Sequence, residues 1–133
     1  MPELNEACND IPYTLGRMFS LYEQIQLAAA KANSSNINAT IKDRYFNAAS
    51  SNPSQVFNLL GKLSVSHLRV LRRSNPNLAG SLQGQLEELS IRVGTSYPPH
   101  LDPARQGSFQ LGYYYQNQAR FQKKAPADST ANV

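Results

Sequence analysis

The residues of this chain best suited to chemistry are cations. Lys62, Arg69, Arg72 and Arg73 fall on a helical repeat. At about 100° per residue, Lys62, Arg69 and Arg73 lie within ~40° of one another, with Arg72 close by. A guanidinium grips a phosphate through two hydrogen bonds, whereas an ammonium supplies a point charge. Such a row suits a nucleic-acid backbone; a solvated helix face is the plain alternative. Lys42 and Arg44 form a second group, with Asp43 between them, and Arg44 is equally placed for a structural ion pair. Arg120, Lys123 and Lys124 form a third group at the end of a helical stretch, where cations also favour the C-terminal dipole. The candidate nucleic-acid contacts are therefore Lys42, Arg44, Lys62, Arg69, Arg72, Arg73, Arg120 and Lys123. Tyr113, Tyr114 and Tyr115 have rings of the kind that stack on unpaired bases. Helical periodicity sends them to different faces, so core or subunit packing is the reading for at least two of them.

Catalytic chemistry finds little to work with. His67 sits in the middle of an apolar face and reads as a core histidine. His100 lies in a proline-rich loop two residues from Asp102, with no nucleophile or metal-ligand partner at a recognisable spacing. Cys8, the single cysteine, reads as a free thiol and excludes an internal disulfide or a multi-cysteine zinc site. Glu87 and Glu88 are adjacent, so a helix points them to different sides. No Walker-type glycine loop is present. No enzyme activity, cofactor or metal is expected.

Charge supports the backbone-binding reading. The 133 residues carry 13 Lys and Arg against 9 Asp and Glu, a formal +4. Residues 11–124 hold all 13 cations and five of the acids, a formal +8. A core of that sign attracts nucleic acid, an anionic membrane or an acidic protein. At 41% apolar and 17% charged, the chain is expected to fold as one domain rather than stay disordered. No apolar run approaches the ~20 residues of a membrane span. No signal-peptide pattern opens the sequence, and a cytoplasmic location is expected.

These residues must be positioned by helices, because no segment alternates apolar and polar side chains over strand length. The first helix is expected over 12–32, with Asp10 as its start signal. Leu15, Met18, Phe19, Tyr22, Ile25 and Ala29 form its apolar stripe, with Arg17 and Lys31 projecting from the other side. A second helix is expected over 40–49, with Ile41, Tyr45 and Ala48 inward. The third opens at Asn52-Pro53-Ser54-Gln55, a cap, a proline and a capping-box glutamine. It runs to about Arg73 with Val56, Leu60, Leu63, His67, Val70 and Leu71 inward. Asn75-Pro76 starts a fourth, to about Val93, with a seam of Leu78, Leu82, Leu86, Leu89 and Val93. Gly80 and Gly84 weaken that helix and leave room for a close helix approach. Asp102-Pro103 starts the last, to about Lys123. Leu111, Tyr114, Gln118 and Phe121 fall on one side of it, and Phe109, Tyr113, Gln116 and Arg120 nearly opposite. Aromatic residues on two sides indicate packing on both, either inside the bundle or against a partner, and Gly112 suits a close helix contact. The expected architecture is all-α: a flexible N-terminus over 1–11, a compact five-helix bundle over 12–124 and a disordered tail over 125–133.

Three stretches together carry a resemblance. The first is Tyr13-Thr14-Leu15-Gly16-Arg17-Met18-Phe19, followed by Glu23. The second is Thr40-Ile41-Lys42-Asp43-Arg44-Tyr45-Phe46, leading to Ala48-Ala49-Ser50, then Pro53 and Phe57. The third is Gln106-Gly107-Ser108-Phe109, then Leu111-Gly112-Tyr113-Tyr114 and Gln116, preceded by Pro98 and Leu101. In this order they resemble the C-terminal helical region of the large subunit of the type I-C CRISPR Cascade complex, over roughly residues 12–122. The chain is much shorter than that subunit and begins with Met1. In this subtype a small subunit is made from an internal start in the large-subunit gene, and the chain resembles that free-standing product.

The resemblance implies a non-catalytic helical subunit in antiviral defence. Its partners would be the Cascade backbone subunits, the large subunit and further copies of itself. It would also meet crRNA and target DNA, especially the displaced non-target strand, and no membrane. In RNA-guided recognition, base pairing reads the sequence while protein holds the backbone and the opened strand. Two alternatives stay open: a structural adaptor that never touches nucleic acid, and a stand-alone helical nucleic-acid-binding protein.

Overall fold

The computed structural model describes residues 4–34, 40–94 and 96–130, with side chains as far as Ala119. It is an all-α bundle: α1 (Ile11–Ala32), α2 (Ile41–Ser51), α3 (Pro53–Ser74), α4 (Pro76–Val93) and α5 (Pro103–Thr130). Among the described residues there is no strand. The five helices are those expected from the sequence. α5 extends beyond the expected boundary near Lys123. The tail expected over 125–133 falls where side chains, and at its end the backbone, lie outside the described residues.

Local chemistry sets most of the helix starts. The Asp10 carboxylate accepts from Tyr13 N at 3.2 Å, and Asn75 Oδ1 accepts from Leu78 N at 3.2 Å. Asp102 Oδ1 accepts from Arg105 N at 2.9 Å. α2 opens with a full capping box, in which Thr40 N donates to Asp43 Oδ2 at 2.9 Å and Asp43 N donates to Thr40 Oγ1 at 3.4 Å. The Asn52 cap does not form. Its side chain turns to Ser51 Oγ at 3.2 Å instead. The open N–H of Ser54 donates to the carbonyl of Pro98 at 3.0 Å, so the loop before α5 closes the first turn of α3. Leu101 N completes the junction on Ser51 O at 3.0 Å.

α1 is the central helix, packed against all four others. Every residue from Pro12 to Glu23 is buried, so this stretch has no solvent side. Phe19 sits in the middle, with the rings of Phe46, Tyr113, Phe109 and Phe57 at 5.4, 5.9, 6.0 and 6.4 Å. Edge-on and tilted ring pairs at this spacing add about 0.5–1.5 kcal/mol each beyond the area they bury.

The tightest contact is between α1 and α5, and two glycines permit it. A Cβ on Gly16 would overlap the Phe109 carbonyl and lie 2.7 Å from Tyr113 N. A Cβ on Gly112 would overlap the Tyr13 carbonyl. The close approach expected of Gly80 and Gly84 is not made within the chain, since a Cβ at either would meet nothing within 4 Å.

Two further expectations are corrected. Arg17 does not project into solvent but is 7% exposed, because α1 is enclosed on all sides at that turn. The buried line of α3 runs through Val56, Phe57, Leu60, Ser64, Leu68 and Leu71, while Leu63, His67 and Val70 are only half-buried. The shift follows from α3 facing α1 and α4 together, which draws its buried arc toward Phe57 and Leu68.

Candidate nucleic-acid interface

The side of α3 away from the core is a basic face. Lys62, Arg69, Arg72 and Arg73 are all exposed. Among the described residues, no carboxylate reaches ion-pairing distance of any of the four. Arg72 donates through Nη2 to Gln83 Oε1 on α4, which fixes its direction without neutralising it. At 1.5 Å per residue, Lys62 to Arg73 spans about 16 Å along the helix. That is about five phosphates of a strand with B-form spacing. Val65 and Leu59 are apolar members of the exposed side of α3, at 57% and 38% exposure.

The α2 pair is divided by the structure. Arg44 is exposed, and the ion pair considered for it does not form among the described residues. Lys42 is half-buried against rings, with Nζ 5.2 Å from the Tyr113 centroid, 5.6 Å from Tyr114 and 5.8 Å from Phe46. An ammonium over ring faces is held by the aromatic quadrupole. Asp43, between the two cations, serves the capping box. Arg120 and Lys123 lie on the backbone of α5, and their side chains fall outside the described residues.

Buried polar contacts tie α1 to its neighbours; Arg17, Glu23, Thr40, Tyr113 and Gln116 all fall within the three resembling stretches, but none of them is assigned this role from the sequence alone. Arg17 Nε donates to Gln116 Oε1 at 2.8 Å, joining α1 to α5. Its Nη1 has no hydrogen-bond partner among the described residues. Burial, and secondarily the charge of Arg92, pull the Arg17 guanidinium below its ordinary pKa. Arg17 also lines a cavity of about 210 Å³ with Glu6, Gln85, Glu88, Leu89 and Arg92. Arg92 is itself held by Glu88 at 2.9 Å and by the Glu6 carbonyl at 2.6 Å. Glu23 is buried and accepts from the Tyr113 hydroxyl and from Thr40 Oγ1, the latter at 3.3 Å.

The catalytic candidates stay apart. His67 is half-buried, and burial lowers the pKa of its imidazole. It lines a small cleft with Tyr22, Ile41, Leu60, Leu63 and Ser64, none of them a carboxylate. His100 is exposed, and Asp102 is occupied in capping α5. The larger cavity, about 490 Å³, is lined chiefly by Ile11, Pro12, Val93, Tyr97, Pro98 and Leu101. Asp10 at its rim caps α1. Among the described residues, no cluster of His, Cys, Asp and Glu could hold a metal ion. No helix among them is long and apolar enough to cross a membrane.

The family model of CRISPR-associated protein Cas_Csd1 matches residues 1–121, which include the whole basic face and the α1–α5 glycine contact. The chain belongs to the Cas_Csd1 family. No curated protein matches it. Membership places the chain among CRISPR-associated proteins. The match to the Csd1 model runs through all three stretches that resemble the type I-C large subunit.

Proposed function

We propose that this chain is the non-catalytic small subunit of a type I-C CRISPR Cascade effector. It stabilises the crRNA-guided R-loop by packing against neighbouring subunits and by holding nucleic-acid backbone. The strand we assign to it is the displaced non-target strand. The observation that carries this reading is the row Lys62, Arg69, Arg72 and Arg73, exposed on one helix and unneutralised among the described residues. The opened strand has no pairing partner, and a cationic track compensates its phosphates. Such work asks for a rigid helix and charge, not for a catalytic group.

The test compares target-DNA binding by Cascade assembled with this chain, without it, and with a variant carrying Ala at positions 62, 69, 72 and 73. Omission is expected to weaken R-loop binding. The variant is expected to incorporate normally and to bind with a shallower salt dependence. Each lost single-strand phosphate contact lowers the log–log slope by about 0.7, so four contacts lower it by about 3. Full restoration of binding by the variant would return the chain to the structural-adaptor reading.

A further inference from the structure

α5 carries three consecutive tyrosines and distributes them over three environments. Tyr113 is buried in the core. Tyr115 is half-buried, its ring 6.5 Å from that of Tyr13. Tyr114 is 49% exposed. The ring of Tyr114 is nevertheless held in place. It meets Tyr113 at 5.5 Å and 75°, and the ammonium of Lys42 lies 5.6 Å from its centroid. Lys42 is anchored in turn by the rings of Tyr113 and Phe46.

The surroundings of this ring have a particular chemistry. Gln110, Leu111 and Gln118 share the exposed face of α5 with Tyr114. No Asp or Glu occurs anywhere from Pro103 to Ala119. Asp43, the acid beside Lys42, accepts from its own helix N-terminus. The patch therefore offers an open aromatic ring, a cation beside it and amides and a leucine around it, and the acids near it, Asp43 and Glu23, are taken up by hydrogen bonds within the fold. A base presents a π-face to such a ring whatever its identity, provided it is unpaired. The phosphate of a stacked nucleotide then needs a nearby cation. A fixed ring also loses little conformational freedom on binding.

We propose that Tyr114 and Lys42 form a stacking site for one unpaired nucleotide, Tyr114 taking the base and Lys42 the adjacent phosphate. The site rests on the reading that this chain holds an opened strand. It adds to that reading a contact with a base, which a cationic track does not make. α2, which bears Lys42, packs against both α3 and α5, so the site and the basic face belong to one body.

The experiment measures binding of the purified full chain to a fluorescein-labelled oligothymidine and to the same strand made of abasic sugars. The proteins are the wild type, Tyr114→Ala, Tyr114→Phe, Lys42→Gln and the four-fold α3 variant. Because Tyr114 lies at the surface, circular dichroism is expected to show each Tyr114 variant folded. Tyr114→Ala is expected to weaken binding of the oligothymidine by about tenfold and to leave the abasic strand unchanged. Tyr114→Phe keeps the ring and is expected to stay within about twofold of the wild type. Lys42→Gln is expected to weaken both strands. Equal loss on both strands with Tyr114→Ala would overturn the site, as would no loss on either, or no binding of either strand by the wild type. Failure of the track reading is distinct: the α3 variant would then bind both strands as the wild type does while Tyr114→Ala still separates them.

Discussion

The hydroxyl of Tyr113 on α5 donates to the carboxylate of Glu23 on α1, 90 positions earlier in the chain. The other oxygen of that carboxylate accepts from Thr40, the cap of α2. One buried acid thus ties three helices together beneath the surface that carries Lys42 and Tyr114.

Tyr113→Phe keeps the ring and deletes the donor. Losing a hydrogen bond to a buried charged group is expected to destabilise the fold by about 1.5–3 kcal/mol. Glu23→Gln is expected to lose a similar amount, and the double variant less than the sum, because the two changes share one bond. Urea unfolding of the three variants measures the coupling.

Gly16 and Gly84 are expected to respond oppositely to alanine. At Gly16 the new methyl would overlap a backbone carbonyl that cannot move without shifting α5. A loss of about 3 kcal/mol or more is expected, at or above the top of the usual range for overpacking. At Gly84, on the exposed side of α4 with nothing within 4 Å, the same change is expected to stabilise by about 0.5–1 kcal/mol. Thermal unfolding of Gly16→Ala and Gly84→Ala gives both signs.

His67 makes stability depend on pH. Its imidazole is held below the ordinary value by burial, so the unfolded chain takes up a proton near pH 6.5 that the folded chain resists. The contribution is fully present above about pH 6.5 and is lost as pH falls through that value toward the lower folded one. The wild-type Tm is expected to fall relative to His67→Gln between pH 7.5 and 5. Carboxylates titrate in both proteins and cancel in the difference.

Gln116→Leu removes the hydrogen-bond acceptor of the buried Arg17 guanidinium and is expected to destabilise by about 1.5–3 kcal/mol. Replacing both residues with apolar ones, Arg17→Met with Gln116→Leu, is expected to recover most of that loss, since no buried charge is then left unpaired. A denaturation series on the two variants distinguishes a guanidinium that depends on Gln116 from one that does not.

Much of the fold was legible in local signals. The cap-and-proline pairs at Asn75 and Asp102 mark real helix starts, and the leucine seam of α4 is buried apart from Leu78, which is half-buried. The failures share a cause. Arg17 reads as a surface cation because a stripe analysis assumes that a helix has a solvent side, and the first three turns of α1 have none. Asn52 reads as a cap because the competing acceptor, the Pro98 carbonyl, lies in a distant loop. The glycines that matter for close contact, Gly16 and Gly112, are paired by α1 crossing α5 and not by any spacing in the chain. The basic row of α3 was legible because it depends on one helix alone. The seat of Lys42 against Tyr113 and Tyr114 was not, because it joins two helices.

The pairing of α1 with α5 also sets the order of events during synthesis. At 5–20 residues per second, Tyr113 is added about 5–18 s after Glu23, its partner across the bundle. For that interval the most enclosed helix of the protein is displayed without its main neighbour, and Arg17 and Glu23 lack their partners Gln116 and Tyr113. The nascent chain therefore passes through a stage in which its sticky surface is the one that later becomes its centre.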